Sequence, residues 1–378
     1  MWLFVVLLFT KLAAKTGYGG NHKSLLIIKV DAIGDYIIFR NFIETIRKSK
    51  KYQGYKITLL GNSLWKDIAT SLDQNYIDEF IWFDANTYTK YKHRKDFLLK
   101  LASKRFSDAI MCHYSRTVFT EILAFTATAK KLKGITNDYL HLSHRFRLIS
   151  DRFYTSLYFI TEEHKHEFLK LRSFIGQIIE TDIDTLPKKP SIQLANSSAS
   201  LTRFGITQPF ILINCGAGDV KRQLPLDKMK DVIKTLLEAE KPIYFTGTRS
   251  DTFYADSLID NFPQKKEYLK NIAGQTTLLE LLHLINIAQF VVCNESSTYH
   301  MAIAMNKEVF CFSGGGHFER FANYPTIKTH LLFNNMPCFN CNWNCIYTLV
   351  NGKAYPCIEA IEMDRFKAML AGSLLLKN

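Results

Sequence analysis

Apolar residues along this chain follow two rhythms, short unbroken runs alternating with stretches in which they recur every three or four positions. Leu25, Leu26, Ile27 and Ile28 form the first run, with no polar face, as in a strand buried on both sides. The run breaks at Asp31-Ala32-Ile33-Gly34-Asp35. Beyond it Ile38, Phe42 and Ile46, with Phe39 and Ile43 beside them, predict a helix over 36–48 with one apolar face. Residues 56–60 (KITLL) and 80–83 (FIWF) read as strands around a helix at 64–72, and 108–113 as a strand before a helix at 117–128. Residues 133–135 suggest a short strand and 162–179 a helix. Such alternation argues for an α/β fold, a parallel sheet with crossover helices.

The rhythm lapses from Thr181 to Gln208, a stretch rich in Pro, Ser and Thr, and resumes at Pro209. Residues 210–214 read as a strand ending in the turn Cys215-Gly216-Ala217-Gly218. A helix with Leu226, Met229, Ile233, Leu236 and Leu237 inward follows, then a strand at 243–247. Thr276-Thr277 caps a helix with Leu278, Leu281, Leu282 and Ile285 on one face, and 290–293 is a strand ending at Asn294. The expected organisation is an apolar extension (1–23), a first domain (24–190), a linker (191–208), a second domain (209–335), a cysteine-rich loop (336–358) and a terminal helix (359–378). Both domains read as Rossmann-like, facing a central cleft.

Composition adds little to this except through charge. A chain of 378 residues with 47% hydrophobic and 22% charged is an ordinary globular one, long enough for two domains. Its net charge of +13 points to a polyanionic partner: nucleic acid, an acidic membrane surface or a phosphorylated substrate. No nucleic-acid-binding motif is present, so no nucleic acid is expected. Lys90 to Arg105 interleaves Phe97, Leu98 and Leu101 with cations, the pattern of a solvated face or of a surface-seeking amphipathic helix. The run from Trp2 to Phe9 is far short of the ~20 residues a spanning helix needs, and no cation precedes it as in a secretory signal. It reads as a short membrane-surface anchor or an extension.

Candidate chemistry lies where strands hand over to helices. Gly34-Asp35 occupies such a turn, at the sheet end where ligands bind and where a carboxylate meets the positive end of a helix; a plain helix cap fits the same residue. Gly216 and Ala217 let backbone amides approach a ligand. Asn294-Glu295-Ser296-Ser297-Thr298-Tyr299-His300 opens a helix, and its free amides with two hydroxyls can hold a diphosphate while Glu295 accepts from sugar hydroxyls. Here too a simple cap is the alternative.

Four stretches in order and spacing carry a resemblance: IIKVDAIGD at 27–35, NCGAGDVKRQLPLDKM at 214–229, IAGQTTLLELLHLINIAQFVVCNESSTYHMAIAM at 272–305 and ERFANYP at 319–325. Together they resemble glycosyltransferase family 9, the ADP-heptose:lipopolysaccharide heptosyltransferases, over roughly residues 24 to 360. The resemblance implies a GT-B fold and an inverting transfer of heptose from ADP-heptose to a lipopolysaccharide-core-type lipid acceptor, with no cofactor or metal required for catalysis. It implies Asp35 as the catalytic base, with Asp31 and Gly34 on the acceptor side. Donor contacts would come from Gly216, Ala217, Arg222 or its neighbour Lys221, Glu295, Ser296, Ser297, His300 and the turn Gly314-Gly315. The terminal helix would cross back to the first domain, and the enzyme would sit peripherally on the cytoplasmic face of the inner membrane. Departures from the pattern are Glu295 for Asp, Ser297 for Gly, Leu224 for Trp before Pro225, and Gly314-Gly315-Gly316 for Phe-Gly-Pro-Thr, an open glycine turn of altered shape. They leave room for another nucleotide-activated sugar. A non-catalytic polyanion-binding protein on the same scaffold is the alternative from a different class.

Of eight cysteines, Cys112, Cys215, Cys293 and Cys311 lie in or just after apolar strands, as small buried hydrophobes. Cys338, Cys341, Cys345 and Cys357 are spaced C-x2-C-x3-C-x11-C, which can clamp structural zinc or an iron–sulfur cluster. Bare thiols or disulfides are the alternatives, the latter disfavoured in the reducing cytoplasm a nucleotide-sugar enzyme implies. An iron-binding loop would also admit a redox protein.

Overall fold

A computed structural model of the chain describes residues 23–136, 140–161, 163–194, 202–324 and 329–373. The expected apolar extension lies outside these residues, apart from Lys23, as do 195–201 of the expected linker. Two compact units divide between Lys188 and Lys189.

The first unit holds a parallel sheet of β1 (Ser24–Lys29), β2 (Lys56–Asn62), β3 (Glu79–Phe83), β4 (Asp108–Met111), β5 (Lys131–Ile135) and β6 (Ser156–Tyr158), in the order β3-β2-β1-β4-β5-β6. The second holds β7 (Ile211–Asn214), β8 (Ile243–Thr246), β9 (Leu269–Asn271), β10 (Val291–Asn294), β11 (Val309–Phe312) and β12 (His330–Leu332), in the order β12-β11-β10-β7-β8-β9. This is the same doubly wound order read from the opposite edge, so each unit is Rossmann-like. Strand order reverses between β1 and β4 in one sheet and between β7 and β10 in the other. The unbroken apolar runs are the central strands: Leu25 to Ile28 and Val291 to Cys293 are fully buried.

Three expectations shift. The first helix begins at Ile33 rather than 36, running Ile33–Phe39 and then Asn41–Lys48, so Asp35 lies inside its first turn instead of before it. The terminal helix Met363–Gly372 packs within its own unit: Phe366 meets Phe310 edge-on at 5.6 Å, and Phe366 and Leu370 join the second core. In the basic helix Tyr91–Ser103, Leu98 and Leu101 face the core, while Tyr91 and Leu99 are the exposed apolar residues, beside exposed Lys92, Lys95 and Lys100. Among the described residues no helix is long and apolar enough to cross a membrane.

Candidate active site

Each sheet brings candidate residues to its own switch point. In the first unit, Ile28 pairs with Met111, which sets the exit of β1 against the exit of β4. The turn after β1 is tied down from three sides. Val30 N–H donates to His113 Nε2 (3.1 Å), its carbonyl accepts from Asn62 Nδ2 (3.1 Å), and the Asp31 carbonyl accepts from the Trp65 indole (3.1 Å). The Asp31 carboxylate spans His113 Nδ1 at 2.7 Å and Lys29 Nζ at 2.7 Å, and Lys29 also donates to the Cys112 carbonyl at 3.1 Å. Because His113 Nε2 accepts a hydrogen bond, its ring proton sits on Nδ1 and points at Asp31. Burial alone would raise the Asp31 pKa, but His113 and Lys29 outweigh it and hold the carboxyl below the usual carboxylate range.

Asp35 follows on this braced turn, half-buried, in the first turn of Ile33–Phe39. A second anchor fixes that helix behind it. Tyr36 stacks on Trp65 at 4.4 Å and donates to Asp73 Oδ2 (2.5 Å), and Arg40 binds Asp73 Oδ1 at 2.7 Å. A carboxylate held this way can accept a proton from a hydroxyl without first reorganising its own support.

In the second unit β10 lies beside β7, with Cys293 paired to Asn214. Asn294, fully buried, staples the two exits: its Nδ2 donates to the Cys215 carbonyl (2.9 Å) and its Oδ1 accepts from Leu224 N–H (2.9 Å). Gly216 is required by space, since a Cβ there would lie 2.7 Å from Asp251 Oδ2. The helix Ser297–Ala304 starts at Ser296, which makes no side-chain cap, and its buried Oγ has no hydrogen-bond partner. An unpaired hydroxyl with amides at a helix start is the donor set for an anion. Beyond the glycine turn the Arg222 guanidinium lies 4.1 Å from the Trp343 ring centroid, with its Nε buried and unpaired.

The sequence model described as glycosyltransferase family 9 (heptosyltransferase) matches residues 151–345, just over half of the chain. The chain belongs to this family. It is a glycosyltransferase. No curated protein sequence matches it. Among solved structures it is similar to E. coli ADP-heptose LPS heptosyltransferase II (16% identity, TM-score 0.69, 94% of this chain and 98% of that one). A glycosyltransferase family 9 protein from Veillonella parvula gives the same identity and TM-score over 94% and 97%. E. coli heptosyltransferase WaaC with ADP follows at 16% identity and TM-score 0.59, over 80% and 90%. These likenesses match the α/β GT-B fold.

In this glycosyltransferase the expected donor residues separate into two depths. Ser296, Ser297 and Glu295 lie half-buried at the helix start, and Gly216 and Ala217 at the facing turn. His300 lies deeper: it is buried, with Nδ1 2.9 Å from the Tyr324 hydroxyl. Lys221 turns its carbonyl to Tyr355 N–H (2.8 Å), and Arg222 is the cation on the indole. The glycine turn is covered, not open. Trp343 overlies Gly314 and Gly316 and Phe339 overlies Gly315, leaving no room for a Cβ at any of the three.

The cysteine loop therefore serves as a lid on this turn. Cys357 accepts a hydrogen bond from Gly315 N–H (3.4 Å), and burial pushes the Cys338 and Cys357 thiols up, helped by the neighbouring cysteines. Among the described residues no three His, Cys, Asp or Glu side chains are grouped to hold a metal ion. Sequence reasoning missed Lys29, Asp251 and the contacts that His113 and Asn294 make: His113 only ended a strand in that reading, and Asn294 closed one and opened the candidate anion turn. Their partners lie 83 and 79 residues away in sequence, beyond the reach of any local pattern.

Proposed function

We propose that this enzyme transfers heptose from ADP-heptose, with inversion, to a lipid-linked acceptor of the lipopolysaccharide-core type. The unpaired Ser296 hydroxyl at the start of Ser297–Ala304 carries the reading, because a nucleoside diphosphate supplies the acceptor oxygens that hydroxyl lacks. Ser296, Ser297 and the helix-start amides bind the diphosphate, Arg222 adds positive charge to the leaving group, and Glu295 accepts from sugar hydroxyls. Asp35 takes the proton of the acceptor hydroxyl as that oxygen attacks the anomeric carbon, a step such a base accelerates by about 10² to 10⁴. Asp31, with both carboxylate oxygens engaged, shapes the acceptor side instead. No step passes through a metal.

The exposed cations and the exposed Tyr91 and Leu99 of Tyr91–Ser103 support peripheral binding to an anionic bilayer, on the cytoplasmic face of an inner membrane. Glu295 and Ser297 favour a second reading, transfer of a different nucleotide-activated sugar. A thermal-shift screen of nucleotide-sugars tests both: a bound ligand at about 100 times its dissociation constant stabilises by about 2.7 kcal/mol. ADP-heptose should give the largest shift. A larger one from another nucleotide-sugar selects the second reading, and none from any nucleotide rejects the donor site.

A further inference from the structure

In a parallel sheet every strand exit lies at one end, and in the first unit that end carries Asp35 after β1. The same end gathers exposed apolar side chains. Leu64 follows β2 by two residues, Tyr91 opens the helix Tyr91–Ser103 on the way from β3 to β4, and Val118 opens the helix Val118–Thr126 after β4. Leu140, Leu148 and Ile149 lie on the connection after β5, the last two in the helix His144–Ser150. That helix is held at this end, because Asp151 behind it binds both Arg147 (3.1 Å) and the buried Arg116, which stands between β4 and Val118. Among the described residues of this unit, the other exposed large apolar side chains are Leu99, two turns along its helix, and Phe159, after β6. Along the sheet edge the order is Tyr91, Leu64, the turn of Asp35, Val118, and then Leu148 with Ile149. A lone exposed apolar residue is ordinary on a protein surface. Six on four connections that flank one catalytic turn mark an interaction surface.

Charge says what kind of surface it is. Exposed Lys66, Lys90, Lys92, Lys95, Arg145 and Arg152 lie on the same connections, against exposed Asp67 and Asp96. The core of a protein–protein interface is depleted of charge, whereas cations interleaved with aliphatic and aromatic tips suit lipid headgroups above acyl chains. At the opposite end the strands open on Lys23, Lys56 and Lys131, exposed and with no apolar neighbour of this kind directly before them.

We propose that the strand-exit end of the first unit is a bilayer-contact surface. Its apolar side chains enter the headgroup boundary of an anionic membrane, its cations hold the headgroups, and Asp35 is thereby presented to an acceptor lying in that membrane. The inference rests on the reading of Asp35 as the base toward a lipid-linked acceptor, and it extends membrane contact from one helix to the whole end of the sheet.

The test uses the full chain as wild type, as Leu64→Ser/Leu148→Ser/Ile149→Ser, with each of these changes singly, and as Lys130→Ser/Lys131→Ser at the opposite end. All are checked for folding by circular dichroism. Binding is read by sedimentation with vesicles of phosphatidylglycerol and phosphatidylethanolamine, and with vesicles of phosphatidylcholine alone. Turnover is read as ADP release with a lipid A-linked core acceptor presented in the anionic vesicles or in detergent micelles. Wild type should prefer the anionic vesicles, and the triple variant should bind them about tenfold more weakly or worse. Its turnover should fall far more on vesicles than in micelles. Lys130→Ser/Lys131→Ser should bind as wild type, because those side chains lie beyond a Debye length from a bilayer at the other end. Wild-type binding by the folded triple variant overturns the proposal, as does a loss confined to Lys130→Ser/Lys131→Ser. Should the triple variant not fold, the single variants decide: each should weaken binding about two- to threefold, and no weakening in any of them refutes it. Self-association of the wild type that the triple variant abolishes, without binding to either vesicle, gives the surface to a second copy of the chain and overturns it as well. If wild type turns over the acceptor in neither presentation, the acceptor reading has failed, and sedimentation still decides the surface.

Discussion

His113 joins two parts of one turn: its Nδ1 stands 2.7 Å from Asp31 while its Nε2 accepts the N–H of Val30 at 3.1 Å. Replacing it with Ala leaves a buried amide unpaired and Asp31 without one partner. The expected loss is about 1 to 3 kcal/mol in urea unfolding. Turnover should fall while KM for the nucleotide-sugar holds, because the damage lies in the unit that the proposed function assigns to the acceptor and the base. Unchanged kcat with weakened donor affinity would speak against this division.

Asp31 makes acid stability a second test. Its folded-state pKa lies below the ordinary carboxylate value, because His113 and Lys29 outweigh the effect of burial. A depressed pKa contributes stability that is fully present above the unfolded value, about 4, and is lost as pH falls below it. Asp31→Asn should therefore lower the urea midpoint at neutral pH and flatten its decline below about pH 4. Parallel wild-type and variant curves through that window would remove the ion pair as a pH-linked element.

Trp343 links the cysteine loop to the proposed leaving-group cation, covering Gly314 and Gly316 while stacking on Arg222. Trp343→Ala should cost about 2 kcal/mol or more in stability through lost packing. It should also weaken ADP binding about three- to tenfold, since a cation–π contact is worth on the order of 1 kcal/mol. Calorimetry with ADP reads the second effect separately from the first, and full ADP affinity in the variant would detach the loop from the donor site.

Membrane contact is tested on the helix Tyr91–Ser103. Reversing Lys92, Lys95 and Lys100 to Glu should sharply reduce sedimentation with vesicles rich in anionic lipid, and salt should weaken wild-type binding. These side chains are exposed, so folding should survive. Equal sedimentation of both proteins would make the helix a solvated face only.

The sheet centres and both switch-point turns were legible because β1, β7 and β10 are buried on both faces and leave uninterrupted apolar runs. The edge strands Ser156–Tyr158, Leu269–Asn271 and His330–Leu332 were not, since three residues carry no period. Asp35 could be singled out from its place after a strand. Lys29 could not, because a lysine closing a strand looks solvated until Asp31 and Cys112 are seen to enclose it. The cover over Gly314 to Gly316 was equally hidden: a glycine run reads as open when the space is in fact filled by an indole and a phenyl ring from 23 or more residues downstream.

The central claim is that this family 9 enzyme uses Asp35 as the base in sugar transfer. The direct measurement is ADP release from ADP-heptose in the presence of a lipid A-linked core acceptor, for wild type and Asp35→Ala, with ADP-heptose affinity measured in parallel. The account predicts turnover reduced by about 10² or more in the variant with donor affinity nearly intact. Near-normal turnover by folded Asp35→Ala would contradict it.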